Sequence, residues 1–98
     1  MSRVDRELAR MLQASAADRG LALTACFIRS RDWSSALFSG ERLTFTLHND
    51  NDDEAFEAWL AALPDLEFPL RGWFVADADV TERRAGAATA DLLVIEEA

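Results

Sequence analysis

His48 is the single histidine of the 98-residue chain, and a run of acids follows it: Asp50, Asp52, Asp53 and Glu54. Imidazole beside carboxylate is the pairing that moves protons near neutral pH or helps to hold a divalent metal. A calcium loop, however, needs Gly at its sixth position and Glu at its twelfth, and neither is placed here. The acids fall instead where they would open a helix, and there each is stabilised by roughly 0.3–1 kcal/mol against the helix dipole. No metal and no other cofactor is expected.

A second grouping combines His48 with Asp77, Asp79 and Asp91. If the strand carrying His48 neighbours the C-terminal hairpin, all four share one sheet face and form a candidate ligand-binding or acid–base site. The competing reading is a solvated acidic edge that discourages wrong strand pairing. Cys26 lies between apolar neighbours and is expected to be a buried, inert thiol. The chain contains no G-x-S-x-G, P-loop, G-x-G-x-x-G or H-E-x-x-H sequence, so no residue is assigned a catalytic role.

The three tryptophans divide by context. Trp59 falls on a helical apolar stripe and belongs to the core. Trp33, near a turn, and Trp73, in a strand, are candidate contact residues for a partner.

These residues need a scaffold, and length and composition bound it. Ninety-eight residues make a single α+β domain, 1–98, and 50% apolar content is far above that of disordered chains. No apolar run reaches the ~18 residues of a membrane span. The basic start Met1–Arg6 is followed by no apolar stretch of a secretory leader, and a lone cysteine suits a reducing compartment. A cytoplasmic location is therefore expected.

Charge is sorted along the chain. Residues 1–31 carry six arginines against three acids, and residues 32–98 carry four arginines against fifteen acids. The net charge of −8 disfavours binding to nucleic acid or to anionic membrane, so neither is expected as a partner.

Periodicity supplies the elements. Val4, Leu8, Met11, Leu12 and Ser15 make one stripe of a helix over 3–19, with Ser2 as cap, Asp5 as a shortened capping box and Gly20 as its stop. Residues 21–30 read as a strand apolar on both faces. A turn at Ser30-Arg31-Asp32 leads to a short strand at 33–39, and a hairpin at Ser39-Gly40-Glu41 to a strand through Leu43, Phe45 and Leu47. A second helix, 52–63, presents Phe56, Trp59, Leu60 and Leu63 and stops at Pro64. Strands at 68–80 and 88–96 follow, joined by Arg83-Arg84-Ala85-Gly86. The expected fold is a two-layer α+β sandwich of order α-β-β-β-α-β-β, its mostly antiparallel sheet covered by two helices on one face.

In the last hairpin, even residues are expected to oppose even ones, and odd residues odd ones. The even face (Phe74, Ala76, Ala78, Ala88, Ala90, Leu92, Val94) suits a close helix. The odd face carries Trp73, Val75, Leu93 and Ile95, with Asp77, Asp79 and Asp91 at one end, and no helix remains to cover it. Such a patch is rare on a monomer. The expectation is a protein–protein interaction module, either a homodimer or a binder of another protein of adaptor, chaperone or inhibitor type, with Trp33 joining the interface. The alternatives are a small-molecule-binding domain or small enzyme using His48 and Asp77/Asp91, and an acidic mimic of nucleic acid.

Overall fold

The computed structural model describes residues 3–51 and 53–97. The chain forms α1 (Arg3–Ala17), β1 (Leu23–Ser34), β2 (Ser39–Asn49), α2 (Asp53–Ala62) with a 3-10 turn at Leu63–Asp65, β3 (Trp73–Arg84) and β4 (Ala87–Glu96). The strands make one antiparallel sheet in the order β1-β2-β4-β3. The fold is α+β with both helices packed against the sheet. Its order is α-β-β-α-β-β, so the expected five strands are corrected to four.

Both helices follow their stripes. Val4, Leu8, Leu12 and Ala16 of α1 and Phe56, Trp59 and Leu60 of α2 are buried in one cluster with Leu43, Phe45, Leu47, Ala88, Ala90, Leu92 and Val94 of the sheet. The cap expected at Ser2 lies outside the described residues. Gly20, at φ 78°, closes α1: its N–H bonds the Ala17 carbonyl while the Leu21 N–H reaches Ala16. That pair of bonds is a Schellman closure, which a residue with no Cβ penalty at positive φ permits. Trp59 Nε1–H donates to Ser15 Oγ, tying α2 to α1.

The missing strand results from a bulge. No turn forms at residues 30–32; β1 runs on to Ser34, and its register against β2 shifts between Phe27 and Arg29, leaving Ile28 unpaired. The reversal comes later, where Ser35 N–H bonds the Phe38 carbonyl and Phe38 N–H bonds Ser35 Oγ. A bulge bends a strand and lets it extend to a length at which a regular one is uncommon.

Two further bulges decide the faces of β3. Pairing with β4 shifts between Val75 and Asp77 and again between Val80 and Glu82. The even-with-even rule holds only between them, as in Ala78↔Leu92 and Asp79↔Asp91. Residues 68–70, expected in this strand, lie before a turn in which Gly72 adopts φ 80°. Phe68 and Leu70 are nonetheless buried in the core.

Candidate functional site: the uncovered sheet face

The side of the sheet away from the helices can be read as five cross-strand rows, each running β1, β2, β4, β3. They are Thr24–His48–Ala87–Arg84, Cys26–Thr46–Thr89–Glu82, Arg29–Thr44–Asp91–Asp79, Arg31–Arg42–Leu93–Asp77 and Trp33–Gly40–Ile95–Phe74. Directly opposed residues in a sheet point to the same face, so the register alone assembles this surface. Near its middle, Ile28 and Thr81 stand at opposite edges of a groove of about 420 Å³ floored by Thr44, Thr46, Thr89 and Asp91. Both edge residues come from bulges.

Charge is sorted across the width of the face. Arg29 and Arg31 on β1 and Arg42 on β2 occupy one half; Asp77, Asp79 and Glu82 on β3 and Asp91 on β4 occupy the other, where Arg84 at the end of β3 is the one exception. Like charges are directly opposed on each side, Arg31 against Arg42 and Asp79 against Asp91. The Thr44 hydroxyl donates to Asp91 Oδ1. The two ion pairs among the described residues lie elsewhere, at Arg3–Glu7 and Arg83–Glu57. Arginines on β1 and aspartates on β3 are three strand spacings apart, roughly 14 Å, too far to neutralise one another within the chain.

The apolar end of the face is the Trp33–Gly40–Ile95–Phe74 row, beside the β1–β2 reversal, where Leu37 and Phe38 are exposed. Leu93 and Ile95 are only 7% and 6% exposed, although no helix lies over them. They sit on an inner strand, flanked in their rows by Arg42 and Asp77 and by Phe74. Phe74 itself is 39% exposed.

Measured against this surface, the expected interface divides. Leu93, Ile95 and Trp33 share it. Trp73 and Val75 do not: the bulge at Ala76 turns them to the helix side, where they pack on the core, and brings Phe74 to the open side in their place. The four residues Trp73, Val75, Leu93 and Ile95 are therefore not one patch.

No family model and no curated protein matches the chain.

The candidate ligand group also divides. His48, Asp77, Asp79 and Asp91 all lie on the open face, but His48 stands two rows from Asp91 and on a different strand. Four residue steps along β2 lie between it and Thr44, the residue opposite Asp91, a distance of roughly 13 Å. Among the described residues, no three His, Cys, Asp or Glu side chains converge as metal ligands would. Cys26 is exposed rather than buried, because β1 is an edge strand whose outer side faces solvent.

The stretch 49–51 has a structural role. Asn51 Oδ1 accepts from Ala22 N–H and its Nδ2 donates to the Gly20 carbonyl, while Asn49 Nδ2 donates to the Asn51 carbonyl. These bonds fasten the turn before α2 to the turn after α1. Asp52, within the same run, lies outside the described residues.

Of this face, Arg42, Phe74 and Gly40 were not expected as contact residues. The alternation Arg29, Arg31, Trp33 was a usable signal, hidden by reading a turn through its middle. No helix among the described residues is long and apolar enough to cross a membrane.

Proposed function

We propose that this chain is a non-enzymatic protein-interaction module whose working surface is the uncovered sheet face. The observation that supports the reading is the composition of that face: its charges are sorted by strand and unpaired across it, beside an apolar row at one end. Opposite-sign fields held apart on one surface steer and orient a protein partner. Aromatic side chains at one end supply the kind of anchor that dominates contact energy. His48 stands two rows, roughly 13 Å along the strands, from the nearest of the three aspartates, which is too far for imidazole and carboxylate to share a proton-transfer site.

Site-specific photocross-linking in cells tests this reading. A photoreactive phenylalanine replaces Ile28 or Glu82 on the open face, with Ala58 on the exposed side of α2 as the control. Protein adducts should form from positions 28 and 82 well above the yield from 58. Equal yields from all three, or adducts from position 58 alone, would contradict the reading.

A further inference from the structure

We infer that the occupant of the open face is a second copy of this chain, packed face to face about a two-fold axis parallel to the strands. This rests on the reading of that face as a protein-binding surface and names its partner.

The argument is geometric. A two-fold axis lying between two sheets and along their strands preserves position along each strand and reverses the strand order. Each β1 then lies over β3 of the other copy, and each β2 over β4. Applied to the observed rows, Arg29 meets Asp79 of the second copy and Arg31 meets its Asp77, and symmetry repeats both contacts. Thr46 meets Thr89. Trp33 meets Phe74, and Ile95 faces the bare backbone at Gly40. The three rows ending in Arg29/Asp79, Arg31/Asp77 and Trp33/Phe74 are thus complementary to their own reversal, as an isologous contact requires, and the other two bring Cys26 over Glu82 and Thr24 over Arg84 without opposing like charges. The twist of each sheet would set the two strand directions at about 30° to one another.

The other face-to-face two-fold, with its axis across the strands, gives the opposite result. It lays β1 on β1 and β3 on β3, so that arginine faces arginine and aspartate faces aspartate. The sorting of charge by strand therefore selects one arrangement. Each aligned copy also places an opposite charge over one member of each like-charged pair, Asp77 over Arg31 and Arg29 over Asp79, whose partners Arg42 and Asp91 repel them within the monomer. The face measures about 27 Å by 14 Å by strand rise and spacing, a modest contact in which ion pairs set register and the aromatic row anchors it.

Charge-reversal complementation, read by light scattering, is the test. One variant carries Arg29→Asp with Arg31→Asp, and the other Asp77→Arg with Asp79→Arg; all four positions are exposed. The wild type should have twice the 10.9 kDa chain mass. Each variant alone should self-associate about 100-fold more weakly, and an equimolar mixture should recover the dimer, since reversed and native pairs then all match. Circular dichroism checks folding, and single variants Arg31→Asp and Asp77→Arg replace any double variant that does not fold. A monomeric wild type at submillimolar concentration overturns the second copy as occupant, leaving the cross-linking result to decide whether the face binds another protein. A dimeric wild type whose variants stay dimeric, or whose mixture does not recover, overturns this arrangement.

Discussion

Along β2, Leu43, Phe45 and Leu47 are fully buried beneath the helices, while Thr44, Thr46 and His48, each one residue further on, point the other way. The two sides of one sheet are built from the same strands under different demands. The covered side is aliphatic and aromatic, narrowed by Ala88 and Ala90 where helices approach. The open side is threonine and sorted charge, and it includes opposed like charges that cost the monomer roughly 0.2–1 kcal/mol each. Folding explains the first composition and works against part of the second. Residues that do not serve the fold, yet are arranged by strand, are what the partner-binding role proposed for this face would account for.

The sharpest way to break this comparison is to remove a large side chain from the covered side. Phe45→Ala should lower unfolding free energy by about 3–5 kcal/mol in a denaturant titration, since Phe45 is fully buried in the core. Asn51→Ala should have the next largest effect, about 1–2 kcal/mol, because it deletes two hydrogen bonds joining the turns at 20–22 and 49–51. A small loss would mean that those turns are held by packing instead.

On the open side the sign should reverse. Arg42→Thr relieves the opposition with Arg31 and should raise the stability of the dilute monomer by a few tenths to about 1 kcal/mol, measured by thermal unfolding. Smaller still is the exposed Arg83–Glu57 pair, 47% and 49% accessible, whose removal by Arg83→Ala should cost under about 1 kcal/mol. Millimolar calcium or magnesium should leave the melting temperature nearly unchanged, because a ligand of the native state alone would raise it.

The helices were legible in the sequence because apolar residues at 3.6 spacing report the buried side directly. Gly20 and Pro64 marked their ends. In the last hairpin the opposition of Asp77, Asp79 and Ala78 to Leu93, Asp91 and Leu92 was legible as well. Bulges hid the rest. A single extra residue leaves no compositional trace, yet it moves every later side chain to the other face. The shift at Ala76 exchanged Trp73 and Val75 for Phe74, and the one at Ile28 concealed that Arg29, Arg31 and Trp33 continue a strand. The candidate surface was visible in outline, from the number of helices available to cover a sheet, and its membership was not.

Hydroxyl-radical footprinting of the wild type at low-micromolar and submillimolar concentration tests the division of the sheet most directly, because oxidation of single side chains reads both faces at once. Cys26, Trp33 and Phe74 lie on the open face, and Met11 and Trp73 pack on the helix side. Raising the concentration should reduce labelling of Cys26, Trp33 and Phe74 and leave Met11 and Trp73 unchanged. Protection confined to Met11 and Trp73, or no protection at either set, would contradict the assignment of the open face as the interface between copies.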